Sequence, residues 1–320
     1  MPLRTIRKDK EHEKMNIEKR ILYIQHLYGA LHTMSIKVRQ LNYALAKSHP
    51  LIKTVSQKVS SSTGEIYYTL QLNPNKILPG TMIKSYSEFE AVLEQILKDI
   101  EADVKQVELI RVDLSLNSDY EEDYKLFKKL NKALICGIAE ANKVQNCYQS
   151  QDLWTCESLS IAIKSNVLEC ENYNKFLESK GQVDTKNRLE LRSVNIRKGL
   201  KYLPSVFKVE WFQRLDAAIE HFEAVQQHYN RELVKIWKED REKKFRDRKF
   251  KFLTTFLSVY SECIFTSKQM EALLTEIGVK NPKNTIKKFK ENYNIEFFSL
   301  KDLKIIVKGI KKVTRNYFKN

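Results

Sequence analysis

Turn-forming residues are scarce in these 320 residues, which hold 8 glycines and 6 prolines. So few breaks favour long helices over a loop-rich all-β fold. Cysteine is sparse too. Cys136, Cys147, Cys156, Cys170 and Cys263 are odd in number, form no C-x-x-C pair and match no zinc spacing. They read as small apolar thiols in a reducing cytoplasm. No apolar run reaches 18 residues, and the opening MPLRTIRKDKEHEK lacks the apolar core of a secretory signal, so a membrane role is not expected. There is no Walker A loop and no G-x-G-x-x-G, so helicase or kinase chemistry built on those loops has no support. Of the histidines His12, His26, His32, His49, His221 and His228, no two form an H-hydrophobe-H pair. His221 and His228 lie seven apart on an expected helix, without the cysteine or carboxylate company of a metal site.

Positive charge, by contrast, is abundant. The formal net charge is +16, and the stretch Arg231–Asn320 alone holds 23 Lys/Arg against 11 Asp/Glu. Three quarters of the excess therefore sits in the last 90 residues. Such a surface attracts polyanions, nucleic acid first among them. With 42% hydrophobic and 30% charged residues, the chain reads as globular rather than disordered.

Along the chain, apolar spacing from Ile17 to Leu45 predicts a helix within an N-terminal helical segment, residues 1–50. LIKTVSQKV and EIYYTLQL flank SSSTG and predict a β-hairpin over 52–72. Its Tyr67 and Tyr68 fit either packing or base stacking. Ser87 is placed to cap the helix EFEAVLEQILKDIEADV. Then follow a strand VELIRVDLSLN, a helix opened by Asp119, and the strands SLSIAIK, VLECENY and NRLELRS. That order predicts an α+β domain over 51–203, with a mostly antiparallel sheet and helices on one face. From 204 to 320 a basic all-α region is expected. It comprises a long helical stretch over 209–251, then helix, Gly278, Pro282, basic helix, short strand and basic helix, in the manner of a helix-turn-helix variant.

Side chains two apart on a strand share a face. Arg111, Asp113 and Ser115 therefore oppose Val112, Leu114 and Leu116. Arg188, Glu190 and Arg192 oppose Leu189 and Leu191, and Tyr173 is in phase with Glu169 and Glu171. If the apolar faces lie under the helices, the other face gathers carboxylates, arginines and a phenol. Two carboxylates suit a hard divalent ion such as Mg²⁺ or Mn²⁺. Cations stabilise a pentacoordinate phosphate, and a tyrosine hydroxyl can attack phosphorus to give a covalent intermediate. A charged outer face is equally what any half-exposed antiparallel sheet presents, so the residues alone leave both readings open.

In this order, RVDLSL, SLSIAIKSNVLECENYNK and NRLELRS resemble the Rep_trans replication initiators of small rolling-circle plasmids of Gram-positive bacteria, and the related relaxases of conjugative elements. The likeness covers about residues 107–195 and fades over the hairpin. The turn IKSN lacks the glycine and arginine of the family's G-S-R-x-S pattern. The resemblance implies that Tyr173 is the nicking tyrosine, that Asp113 and Glu190 hold Mg²⁺ or Mn²⁺, and that Arg111, Lys175, Arg188 and Arg192 lie near the phosphate. It implies a bacterial cytoplasmic protein acting on double-stranded origin DNA and its nicked single strand, with host helicase and DNA polymerase as partners and room for a homodimer. A non-catalytic, sequence-specific DNA-binding protein on the same fold is the alternative, and RNA binding a third.

Overall fold

The structure is a computed structural model. It describes residues 25–73, 83, 85–118, 124–144, 146–149, 161–183, 187–224, 267–276, 278–293 and 300–319. By its contacts the chain divides into two units: Met1–Tyr124 with Val144–Gln213 and Lys308–Asn320, and Lys125–Lys143 with Arg214–Val307.

The first unit is built on an eight-stranded sheet. The strands are β1 (Leu27–Val38), β2 (Ile52–Val59), β3 (Ile66–Leu72), β4 (Glu108–Ser118), β5 (Asn146–Gln149), β6 (Ile161–Lys164), β7 (Leu168–Tyr173) and β8 (Asn187–Gly199). Their spatial order is β2-β3-β1-β4-β8-β7-β6-β5, and every neighbouring pair is antiparallel. The fold is α+β, as the alternation of strands and helices predicts.

The helix expected across Ile17–Leu45 is corrected over its described part: residues 27–38 are β1, and only the short helix α1 (Tyr43–Ser48) follows, capped by Asn42. Leu27, Ala30, Leu31, Met34 and Val38 do fall at helical spacing. They do so because β1 lies between β3 and β4 and buries side chains on both faces, which erases the period-two signal. β-Branched Thr33, Ile36 and Val38 side with the strand.

One sheet face is apolar. In register across it lie Leu31, Leu114 and Leu191, then Leu116 and Leu189, all nearly fully buried. Helix α2 (Tyr86–Asp99) buries Phe89, Leu93, Ile96 and Leu97. Its cap is Ser85 rather than Ser87: the Ser85 hydroxyl accepts from the Glu88 backbone N–H at 3.3 Å. On this face Trp211 Nε1 donates to Ser193 Oγ at 2.9 Å, and the Phe318 ring stacks on Phe207 at 5.6 Å and meets Tyr86 at a tilt, 5.3 Å between centroids. Gly29 lets the C-terminal segment approach, since a Cβ there would stand 3.1 Å from Val313 Cγ1.

The second unit is helical among the described residues. Helix α3 (Tyr124–Ala141) buries Leu130, Leu134 and Ile138. Its Gly137 lies so close to Phe222 that a Cβ would sit 2.4 Å from the ring. Residue 222 belongs to the helical stretch over 203–224, which includes a π-helical turn at Val206–Trp211. Ser267–Glu276 and Pro282–Tyr293 are further helices of this unit, and the helix Leu300–Tyr317 belongs to it up to Val307 and to the first unit from Lys308 on. The strand expected between the last two, and most of the helix expected over 209–251, lie outside the described residues. No helix among the described residues is long and apolar enough to cross a membrane.

Candidate active site on the charged sheet face

The opposite sheet face is assembled by register. Across β1, β4, β8 and β7 run Thr33, Asp113, Arg192 and Glu169 in one row. The next rows bring Ser115, Glu190 and Glu171 together, then Asn117, Arg188 and Tyr173. The three charged strand segments are thus neighbours, and Tyr173, Asp113, Glu190, Arg111, Arg188 and Arg192 share one surface.

Local sequence fixes the ends of this array. Ser165 closes the β6–β7 hairpin, its hydroxyl accepting from the backbone N–H groups of Val167 and Leu168 at 3.2 and 3.0 Å. At the far end of β7, the Asn174 side chain accepts from Leu177 N at 3.1 Å and starts the short helix α4 (Lys175–Glu178). That turn leaves Lys175 Nζ 5.9 Å from the Tyr173 ring centroid, paired with Glu178. Buried Asn172 donates to Asn187 Oδ1 at 2.7 Å and to the Arg188 carbonyl at 2.8 Å, bracing β7 against β8.

The hydrogen bonds converge on two carboxylates. Tyr173 Oη donates to Glu190 Oε1 at 2.8 Å. Arg192 Nε donates to Glu190 Oε2 at 3.0 Å and lies 3.8 Å from Asp113 Oδ2. Its other nitrogens reach Glu171 at 2.7 Å and Glu169 at 3.5 Å. Arg111 holds Asp113 bidentately, Nε and Nη2 each donating at 2.8 Å. Arg188 Nε donates to Asn117 Oδ1 at 2.6 Å, and its Nη1 lies 3.8 Å from Glu190 Oε1. That Nη1 and the Ser115 hydroxyl are buried and make no hydrogen bond. They are donors aimed into a polar interior where a further oxygen ligand would be welcome.

Burial and charge split the two acids. Burial pushes Asp113 up, and its arginines pull it only part of the way back. Burial also opposes ionisation of Glu190, but Arg192, His32 and the Tyr173 hydroxyl outweigh it, and the carboxyl ends below its ordinary range. The Tyr173 phenol is raised, by burial first and by Glu190 next. The resting pair is therefore a protonated phenol donating to an ionised carboxylate, the arrangement a general base needs to receive that proton.

A divalent ion between Asp113 and Glu190 does not fit this arrangement. All four carboxylate oxygens already accept a guanidinium or phenol donor, and Arg192 stands where a bridging cation would have to sit. Among the described residues no group of three or more His, Cys, Asp or Glu side chains is arranged to hold a metal.

The residue that sequence reasoning missed is His32. It sits at a bulge in β1, between Leu31 opposite Leu114 and Thr33 opposite Asp113, and its Nδ1 is 3.0 Å from Thr33 Oγ1. Reading 27–38 as a helix hid it. Asn117 was legible, being in phase with Asp113 and Ser115. Burial lowers the His32 pKa to about 4, against the pull of Glu190. The unfolded chain therefore takes up a proton near pH 6.5 that the folded protein refuses until pH 4, so stability is lost as pH falls through that window. Relative to neutral pH, His32 is expected to withdraw about 2 kcal/mol by pH 5. Urea unfolding of wild type and His32→Gln at both pH values checks this: the variant should lose less stability on acidification, and equal losses would refute it. Asp113, with its raised pKa, works in the opposite sense in both proteins.

No protein-family model matches the chain, and no curated protein matches it. Among solved structures it is similar to the regulatory subunits of aspartate kinase from Thermus flavus and Thermus thermophilus, each 11% identical with a TM-score of 0.17. They cover 62% and 61% of this chain and 97% and 96% of their own. The chain is also similar to a rolling circle replication initiator protein from Geobacillus stearothermophilus, at 11% identity and a TM-score of 0.31, over 53% of this chain and 76% of that one.

Proposed function

We propose that this protein is a replication initiator of a plasmid or mobile element that binds its origin and nicks one DNA strand through Tyr173. The observation that carries the reading is the hydrogen bond from Tyr173 Oη to Glu190 Oε1 at 2.8 Å, set among three arginines. Tyr173 Oη attacks the scissile phosphorus as its proton passes to Glu190. The Oη–P bond forms, the P–O3′ bond breaks, and the leaving 3′ oxygen takes a proton from water. The 5′ end stays on the tyrosine and the free 3′-hydroxyl serves as primer. Arg188, with an unsatisfied Nη1, and Arg111, partly exposed, supply positive charge for the phosphorane. Lys175 would hold an adjacent phosphate. No step is assigned to a metal, which would first have to displace Arg192. The lysine-rich C-terminal residues would grip duplex DNA, with the salt dependence of counterion release.

Supercoiled DNA carrying the element's own origin tests the reading. Incubation with the protein, with and without Mg²⁺ or Mn²⁺, should give open circles whose 5′ ends are protein-linked. A second reading, a binder that does not cut, is favoured by the same cluster's closure: its carboxylates are satisfied and its phenol is raised. Tight origin binding without a nick, with either metal or neither, would select it.

A further inference from the structure

The charged face does not end at Arg111. Ser35 pairs with Arg111, and two residues on, Lys37 pairs with Glu108 on one side and Thr69 on the other, while Tyr67 pairs with Lys58. By parity Lys37, Thr69, Tyr67 and Lys58 share the face of Arg111. There the sheet opens into a cleft of about 410 Å³, lined by Lys37, Lys58, Ser60, Tyr67, Asn195 and Arg197 among others. This is the size of a small-ligand site.

The walls are chemically specific. Lys37 Nζ stands 4.8 Å from the Tyr67 ring centroid and 3.5 Å from Glu108. Among the described residues, Lys58 and Arg197 make no ion pair and no side-chain hydrogen bond, and both are exposed. Arg197 is held there by an irregular stretch of backbone. Residues 195–197 bulge out opposite Ile110, between the pairs Arg111–Val194 and Leu109–Lys198. Asn195 and Arg197 both adopt left-handed backbone, φ 55° and 53°, and Asn195 Nδ2 ties the bulge to the Asn166 carbonyl at 2.8 Å. Left-handed non-glycine residues cost roughly 1 kcal/mol or more each and persist where the surroundings require them. The other hairpin tyrosine, Tyr68, pairs with Val38 on the opposite face and packs at 5.9 Å on Tyr43. The hairpin therefore divides its aromatics, one to packing and one to the cleft.

We infer that this cleft is a nucleotide-binding subsite for single-stranded DNA, with a base stacked on Tyr67 and its phosphates on Lys58 and Arg197. Single-stranded DNA as the ligand rests on the function proposed above. A lone ring beside unpaired cations is the combination that holds unpaired nucleotides without reading their sequence. Tyr67 lies four strands from Tyr173 and about ten residues away along the strands, a separation of roughly 35 Å. The path between them runs over Glu190, Arg192, Asp113, Arg111, Ser35 and Lys37. The cleft would thus hold the displaced strand several nucleotides from the cut.

The test is anisotropy titration of the full chain with a labelled oligothymidylate of about 15 nucleotides, with no cleavage required. Tyr67→Leu is expected to weaken binding about tenfold and Tyr67→Trp to restore it. Lys58→Gln with Arg197→Gly removes two cations, glycine keeping the left-handed backbone. That pair should weaken binding and lower the slope of log affinity against log salt by about 1.4. If the protein never nicks but these losses appear, the cleft stands and the nicking reading falls. If it nicks through Tyr173 while the cleft variants bind like wild type, the inference is overturned alone. Failure of the wild type to bind the oligomer, or a preference for oligouridylate above tenfold, overturns it as well.

Discussion

Tyr173→Phe is expected to abolish strand cleavage, by at least about 10³-fold, while origin affinity stays within about twofold. The change deletes one oxygen and keeps the ring, so the contact with Lys175 and the strand geometry survive. What is lost is the hydroxyl that, among the described residues, donates to Glu190 Oε1 at 2.8 Å and can hand it a proton. Glu190 loses one donor of several, which costs about 1 kcal/mol of stability and not the fold. A companion change, Glu190→Gln, keeps an acceptor for the phenol but cannot take its proton, and cleavage should fall about 10²–10⁴-fold. The pH profile carries a sign. Arg192, His32 and Tyr173 together hold Glu190 below its ordinary range against burial, so it stays ionised at pH values where an ordinary glutamate begins to protonate. The acidic limb of the nicking rate should therefore lie below the ordinary glutamate pKa. Cleavage by Tyr173→Phe at the wild-type rate would remove the tyrosine from the mechanism, whichever reading of the fold is held.

The legible part of the site is the part written in strand parity. RVDLSL, NRLELRS and LECENY each declare which residues face together, and an antiparallel sheet keeps that phase from strand to strand. Asp113, Glu190, Arg192 and Tyr173 could therefore be placed on one face without knowing the strand order. Adjacency was not legible, because nothing in parity says that β8 lies between β4 and β7. Nor was saturation of the carboxylates. Spacing shows that arginines share the face with acids, but only side-chain reach decides that Arg192 fills the gap between Glu190 and Asp113 rather than leaving it for a cation. β1 misled for a different reason. A strand buried on both sides has no polar phase, and its apolar residues then match a helix as well as a strand. That one misreading concealed His32 and Thr33. It also hid that Lys37 joins the hairpin to the charged face, although Lys37, Lys58 and Tyr67 all stand openly in the sequence.

Arg192→Ala is expected to destabilise the protein by about 3–5 kcal/mol, the loss typical of a buried charge deprived of its partner. The guanidinium touches Glu190, Glu171, Glu169 and Asp113, and the Glu190 and Asp113 side chains are each only 3% exposed. Without it four carboxylates on three adjacent strands face one another in a poorly solvated place. Arg192→Lys should recover only part of the loss, since an ammonium cannot span the fork that serves Glu190 and Glu171 together. Acid should shrink the deficit. With the cation gone, burial is the largest influence left on Glu190 and raises its pKa, so the variant protonates its acids before the wild type does and sheds their repulsion as pH falls. Divalent cations should act in the same direction. Four carboxylates without Arg192 are not arranged as a metal site, but their uncompensated charge is screened by a hard divalent ion, so added Mn²⁺ should raise the unfolding temperature of Arg192→Ala and leave that of the wild type nearly unchanged. Urea and thermal unfolding of the three proteins, with and without Mn²⁺, read all of this at once. A deficit below about 1 kcal/mol would mean that the acids were never held by Arg192. Equal stabilisation of wild type by Mn²⁺ would mean that Arg192 yields its place to a metal, and the cation excluded from the resting cluster would return to the mechanism.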